Sequence, residues 1–558
     1  MSSPLSFQGL STGLQTDSLV NAILQQEGQP VQRMQAQQSK NTQRITALQT
    51  LSSNLTSLSS SLATLTGTSF GQQTVTSSDT TNAYVTGTAS GAAVGNYSIN
   101  VGQIATAGRI SPTLSGGAPT NMAVADPLNT AVFTGTSASF AVRGTDGVIK
   151  TLSLNSSNNN LYGLRDAINA SGAGVQATVI NTGTGANPYQ LVVTSTSTGT
   201  GTTSGVVTLA DITSGGAVNT LGIGAGTVDS TTAPTTLTGG LQSGATDVAK
   251  DAIFSVNGIQ LTRKTNVVSD AVAGVTFTLK QGGQAGTTNL SVATDTNAIT
   301  TAMQDVVSKF NTMVSTFNTA AAPNGALYGD SVARSLVTQI RTALSGVPSG
   351  LPLTSTYTSA GGVGLKVNQD GTLSLDTTAF QAALAKDPSA VKKVFAFTGA
   401  SDSAAVQFYA AGAKTTTGSV GFNITSYASG GAVSGTFTVG GSSYSLSGTS
   451  GVLTGTAGTP LEGLILNVSG TGTGNLTLSR GVGQSVQDLV AGMTAAVSGQ
   501  LPQIIQNVND ANSRLAQQIA SGQDRLARRK VALQAQFAQM EAIVGQLQSA
   551  GSSLQNLG

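Results

Sequence analysis

Leu48, Leu51, Leu55, Leu58, Leu62 and Leu65 recur at alternating steps of three and four residues. Only an α-helix gathers such positions on one side, and the alternating step is that of a coiled-coil seam. The far end of the chain repeats the pattern. Leu515, Ile519, Gly522, Leu526, Arg529 and Leu533 keep the step, and one extra four-residue step leads on to Phe537, Met540, Val544, Leu547, Gly551 and Leu554. Such a stutter relaxes supercoiling locally. Gly522, Gly545 and Gly551 each cost a helix roughly 1 kcal/mol relative to Ala, so this segment needs a partner. The spacing therefore predicts terminal helices that pair with each other or with neighbouring subunits, the alternative being an ordinary bundle core. Upstream, Thr16 or Asp17 can cap a first helix with Leu19, Val20, Ile23 and Leu24 on one face. Gly28-Gln29-Pro30 reads as a break before a longer helix over about 30–65. Between Met34 and Ile45 the seam turns polar at Gln38 and Asn41, which lowers stability and can fix register.

Between these ends the periodicity changes. Alternation in Asn96-Tyr97-Ser98-Ile99-Asn100-Val101 and Phe254-Ser255-Val256-Asn257, with Gly, Ser, Asn and Thr between such stretches, predicts strands over about 74–300. Gly163-Leu164-Arg165-Asp166-Ala167-Ile168-Asn169 reads as one short helix among them. Met303, Val306, Val307, Phe310, Met313, Val314 and Phe317 return to helical spacing within about 300–395. A second β-rich block is predicted over 400–480, its hairpin turning at Gly440-Gly441. The fold class is thus α+β and multidomain: terminal coiled-coil helices, a helical middle domain, and inserted β-rich heads. The expected division is 1–40 with 515–558 as terminal helices; 41–75, 300–399 and 481–514 as helical middle; 76–111 with 241–299 as β head; 112–240 as an inserted head subdomain; and 400–480 as an additional insertion. A chain of 558 residues suits about three or four domains.

Composition narrows the chemistry. The chain has no Cys, His or Trp, and only 9% of its residues are charged. This removes disulfides, thiolate metal sites, cysteine nucleophiles and the Ser–His–Asp triad. Glu27, Glu462 and Glu541 are scattered, so paired Glu chemistry is not expected. Asn368-Gln369-Asp370-Gly371 resembles a fragment of a calcium loop but reads better as a β-turn. The Gly222-Ile223-Gly224-Ala225-Gly226 run lacks the Lys-Ser/Thr of a phosphate loop. We therefore expect no enzyme, no metal and no cofactor. Arg525, Arg528, Arg529 and Lys530 form the densest basic cluster; without interleaved aromatics it reads as a solvated or intersubunit helix face rather than a nucleic-acid site. No run of about 18 apolar residues predicts membrane insertion. The first residues lack a basic and apolar leader, so any export is expected to use a route other than a cleaved signal peptide.

Several stretches resemble one family. Gly13-Leu14-Gln15-Thr16-Asp17-Ser18-Leu19-Val20, then Leu24, Glu27, Pro30 and Met34, looks like the start of the bacterial flagellar filament cap, the hook-associated protein 2 family, which usually has Asp where this chain has Gln15. Gly95-Asn96-Tyr97-Ser98-Ile99-Asn100-Val101 resembles its first head strand. Leu164 to Asn169, with Gly174-Val175 and Asn187-Pro188-Tyr189, resembles its inserted flagellin-type hook motif. Gly329-Asp330 with Arg334 and Arg341, then Asp370-Gly371-Thr372-Leu373-Ser374-Leu375-Asp376, looks like its middle domain. Arg525-Leu526, Gln536-Phe537, Met540-Glu541 and Leu547 resemble its last helix.

The resemblance implies a non-enzymatic homo-oligomer, a closed and pentamer-like ring, at the distal tip of the flagellum. It implies secretion through the flagellar type III apparatus and partners in flagellin, a hook-associated junction protein and an export chaperone. Host mucin or glycan is a further partner to weigh. The alternatives are a secreted β-rich adhesin and another axial protein at the hook–filament junction.

Overall fold

The computed structural model describes residues 15–81, 83–85, 89–214, 219–281 and 287–555. Gly13 and Leu14, and the side chain of Leu554, lie outside the described residues. The chain divides into two compact units, Gly71–Asp295 and the combination of Met1–Phe70 with Thr296–Gly558. Its long helices, in chain order, are α1 (Thr16–Thr66), α2 (Leu161–Ala170), α3 (Thr296–Ala321), α4 (Ser331–Ser345), α5 (Thr377–Lys386), α6 (Pro388–Phe395), α7 (Val482–Thr494) and α8 (Gln500–Gln555).

The helical core of the second unit is built on the leucine stripe. Leu48, Leu51, Leu55, Leu58, Leu62 and Leu65 are all buried, together with Met303, Phe310 and Met313 of α3, Leu336 and Ile340 of α4, Val486 and Val490 of α7, and Leu501 of α8. Each such leucine contributes roughly 1.5–3 kcal/mol of burial. The stripe is therefore the wall of a multi-helix core, not a two-helix seam. A step of three and four residues shows that one face is buried; it does not count the helices that cover it.

Two other expectations change. Gly28-Gln29-Pro30 does not break the first helix, because α1 runs through it with Pro30 inside. The side chain of Thr16 or Asp17 is not its cap either; Gln15 holds the N-cap position and its side chain bonds no backbone N–H. α1 and α8 run on across residues 40 and 515, the positions at which the expected terminal and middle divisions meet.

A second sheet system interrupts the helical core between α6 and α7. Its eight antiparallel strands run in the order Phe397–Ser401, Gly472–Arg480, Gly418–Tyr427, Ala432–Val439, Ser442–Thr449, Val452–Thr454, Ile465–Val468 and Val406–Ala410. The two edge strands come together, with the Phe397 and Phe408 rings stacked at 5.7 Å. Gly399 makes the approach possible, since a Cβ there would lie 2.5 Å from the Phe408 ring. The sheet thus curls around its own core of Phe422, Phe437, Leu453, Leu466 and Leu476. The hairpin turns at Gly440 and Gly441, both at positive φ, as the Gly pair predicts.

The unit Gly71–Asp295 is β-rich. A six-stranded antiparallel sheet is ordered Ile259–Arg263, Ala252–Val256, Gly95–Gln103, Thr288–Thr294, Gln72–Ser77 and Ala89–Ser90. It shares a core with the strands Val267–Val272 and Val275–Leu279, where Phe254 meets Phe277 edge to face at 6.0 Å. Inserted into it is a second core around Phe133, Phe140, Leu161, Leu164, Ile168 and Leu191, covered by α2.

With few charges and no cysteine, distant segments are joined by side-chain amides. Asn169 of α2 donates to Ala177 O at 3.0 Å and accepts from Ala177 N at 2.7 Å. Asn266 does the same to Ala105, Asn311 to Leu373 and Gln73 to Ala92. Each amide satisfies a backbone N–H and C=O at once, as a neighbouring strand would. At Ala177 the clasp also covers a position on the edge strand Val175–Asn181, which blunts an edge open to unwanted pairing.

Candidate functional site

The features that point outward from the helical core are the two long helices that leave it. α1 and α8 lie side by side and antiparallel: Thr42 meets Asn512, Val31 meets Gly522, Gly28 meets Leu526 and Glu27 meets Arg529. The numbers of the paired residues sum to nearly the same value at each level, so the register is constant over this stretch. Two glycines shape it. A Cβ on Gly522 would lie 2.6 Å from Val31 Cγ2, and one on Gly28 would lie 3.6 Å from Leu526 Cδ1. Each glycine receives a branched side chain of the opposite helix, so Gly522 serves close approach rather than merely weakening the helix.

Apolar cover along this pair is thin. Val20, Val31, Ile519 and Leu533 are buried, while Leu515, Leu526, Phe537 and Val544 are half-buried. Further along α8, exposure rises to 36% at Met540, 56% at Ile543 and 66% at Leu547. A groove of about 580 Å³ runs between the helices, lined by Met34, Gln517, Gln518, Ser521, Asp524, Arg525 and Arg528. Arg529 Nε reaches Glu27 Oε1 at 3.3 Å; Arg525, Arg528 and Lys530 are exposed. An ion pair this open contributes about 0.2–1 kcal/mol.

Where α1 enters the core, one carboxylate ties two helices together. Asp330 caps α4 by accepting from Val332 N and Ala333 N, and it accepts Arg44 of α1 at 2.8 Å while only 4% exposed. Asp376 caps α5 by accepting from Ala379 N at 3.0 Å. Between them, Asn368-Gln369-Asp370-Gly371 is a β-turn. Gly371 sits at positive φ, and a Cβ there would lie 2.4 Å from the Arg341 guanidinium, which lies across the turn. The Thr372 hydroxyl and N–H donate to Asp370 and hold its carboxyl below the ordinary range. These acids and glycines thus position the helices that carry the outgoing pair.

Comparison with known proteins gives the family. Residues 12–108 match the family model of the flagellar hook-associated protein 2 N-terminus. Residues 249–549, more than half of the chain, match that of the flagellar hook-associated protein 2 C-terminus. The chain belongs to the flagellar hook-associated protein 2 family. Between the two matches, residues 139–197 match the flagellin hook IN motif. Flagellar hook-associated protein 2 of Escherichia coli K12 is 29% identical over 401 residues, 69% of this chain and 79% of the relative. The B-type flagellar hook-associated protein 2 of Pseudomonas aeruginosa is 28% identical over 405 residues, 69% of this chain and 80% of the relative. A crystal structure of the D1–D2–D3 domains of the flagellar cap protein from Escherichia coli is 28% identical, covering 62% of this chain and 89% of that one, at a TM-score of 0.44.

Membership in the hook-associated protein 2 family favours the cap over the adhesin and junction alternatives. At the family's usual Asp position, Gln15 accepts a hydrogen bond from the Ser18 hydroxyl at 3.3 Å and caps no backbone group. Of the residues singled out in the sequence, the structure splits the seam set: Leu48 to Leu65 lie in the helical core, and Leu515 to Leu547 lie on α8 beyond it. Sequence reasoning missed the Gly522 socket, the Arg44–Asp330 junction and the amide clasps. For the socket a signal existed, because antiparallel alignment of the two termini sets Gly522 opposite Val31.

Proposed function

We propose that this chain caps the growing flagellar filament, acting as a non-enzymatic ring of identical copies at the distal tip that retains exported flagellin and guides its insertion. The observation that carries this reading is the ordered match to both ends of the hook-associated protein 2 family. The two outgoing helices support it. They continue from the core without a linker and have a thinly covered apolar face on α8, which suits legs that exchange contacts as subunits are added. In this reading the basic face of Arg525, Arg528, Arg529 and Lys530 meets a neighbouring copy. Ring closure follows from rotational symmetry, because an open head-to-tail contact would give fibres. Partners are then flagellin, the junction protein and an export chaperone, with secretion through the flagellar type III route. The division into terminal helices, helical middle, head, head subdomain and additional sheet belongs to the same proposal.

Deleting the gene should leave cells that export flagellin but build no normal filament, with monomeric flagellin in the medium. A version lacking 515–558 should fail to complement. Normal filaments in the deletion strain, with no excess soluble flagellin, would sink the cap reading.

A further inference from the structure

The curled sheet of residues 397–480 hangs from the helical core by its first and last strands, which pair with each other from Phe397 opposite Arg480 onward. Gly481 N donates to Ala396 O at 3.0 Å, so the chain leaves and re-enters the core at one point. A neck this narrow would leave such a module free to swing, unless something else fixes it.

Arg480 is the residue at that neck, and its contacts go to three separate places. One guanidinium nitrogen pairs with Asp488 of α7, which Gln484 also holds at 2.9 Å. The other donates to Gly412 O at 3.2 Å and Thr415 O at 2.9 Å, in the loop between the strands Val406–Ala410 and Gly418–Tyr427. The guanidinium lies 5.1 Å from the centre of the Phe397 ring, which in turn stacks on Phe408 and closes the sheet. Its side chain is only 13% exposed. On the backbone side, Arg480 exchanges both hydrogen bonds with Ser349 in the loop after α4, at 2.8 and 3.0 Å, and the Ser349 hydroxyl meets that of Thr417 at 2.8 Å. Gly350 at positive φ lets this loop lie against the strand: a Cβ would fall 2.4 Å from Leu478 O. Arginine suits the position because its planar fork serves several acceptors in fixed directions while its face stacks on a ring.

We propose that Arg480 is a positioning residue that locks the 397–480 sheet in one orientation on the helical core, making it a fixed part of the molecule rather than a tethered appendage. The lock has two halves, Asp488 on the core and the Gly412 and Thr415 carbonyls on the sheet, bridged by one side chain.

The absence of cysteine makes the test direct. Spin labels at Ser445→Cys on the sheet and Lys386→Cys on α5 report the distance between the two bodies, in full-length protein diluted with unlabelled chain. The original residue should give one narrow distance distribution. Arg480→Met should lose the narrow peak while near-ultraviolet dichroism of the sheet's aromatics stays intact. Asp488→Ala, which leaves the carbonyl bonds and the stack within the sheet, should broaden the distribution as well and covers the case in which Arg480→Met disturbs the sheet itself. Lys414→Ala, breaking the exposed Lys414–Glu462 pair, should leave the peak unchanged. A narrow, unshifted peak in both Arg480→Met and Asp488→Ala overturns the proposal, as does equal broadening in Lys414→Ala.

Discussion

α1 is one uninterrupted helix with two lives. Over 48–65 its apolar stripe packs against α3, α7 and the start of α8, in a core that α4 completes; over 16–42 it runs along α8, until Arg44 reaches Asp330 at the start of α4. The first half uses leucine at every position of the stripe, with Ser61 buried beside it. The second uses Val20, Val31 and a glycine, with Gln38 and Asn41 between. The same helical period serves both. What differs is the size of the inward side chains, and so how many neighbours can be satisfied. A core surrounded on several sides rewards large residues, whereas a pair meeting along one line rewards matched bumps and hollows.

The strongest way to break the comparison is to charge each half. Leu55→Lys removes roughly 1.5–3 kcal/mol of burial and adds the cost of a buried ammonium, so the helical core should lose its thermal transition. The transition of the Gly71–Asp295 unit should persist, since that unit has its own cores. Val31→Lys should leave the core transition in place and only raise amide exchange along 16–44. Equal damage from both would merge the two halves into one cooperative element.

A smaller effect lies at the junction. Asp330→Ala removes a helix cap worth about 0.5–2 kcal/mol and strands Arg44, lowering the melting temperature of the core. Asp330→Asn should recover part of the loss, because the amide oxygen still caps. A melting temperature equal in all three proteins would remove Asp330 from the junction.

The glycines offer a test of sign. Gly28→Ala has room and should gain up to about 1 kcal/mol of helix propensity. Gly522→Ala gains the same propensity but meets Val31 at 2.6 Å, so helicity and exchange protection of the pair should fall. If both substitutions stabilise, the socket reading of Gly522 is wrong.

The smallest expected effect is that of pH. The carboxyls with resolved shifts, Asp126, Asp166, Asp229, Asp270, Asp370 and Glu462, all sit below their ordinary values through hydrogen bonds that favour the charged form, with Asp229 at about 2 through Thr235 and Thr236. A depressed carboxyl contributes its stability above the unfolded value and loses it as pH falls through the folded one. With no histidine to titrate, melting temperature should be flat from about pH 5 to 8 and decline only below about pH 4. A step near pH 6 would contradict this.

Much of the architecture was legible in the chain. Helical ends, the β-rich centre, the helix over 161–170 and the Gly440-Gly441 hairpin all follow from local periodicity and turn chemistry. The Leu48–Leu65 stripe was legible as buried but not as a core wall, because its partners are several hundred residues away. Pro30 misled for a physical reason: a long helix can absorb one missing N–H, and here Pro30 is exposed while its neighbours Gly28 and Val31 pack against α8. The Arg480 lock and the Asn311 clasp left no local trace, since a lone Arg or Asn reads the same whether it faces water or reaches a backbone distant in sequence.

The amide clasps have one further consequence, and it concerns time. Amides do not titrate, so acid does not open them, but asparagine is among the residues that heat slowly destroys. Loss of the amide at Asn169, Asn266 or Asn311 leaves a carboxylate, which still accepts from the backbone N–H but no longer donates to the carbonyl beside it. At the filament tip where we propose that it works, beyond the reach of resynthesis in place, such a molecule would then age one clasp at a time, its working life set by chemistry at a few uncharged side chains.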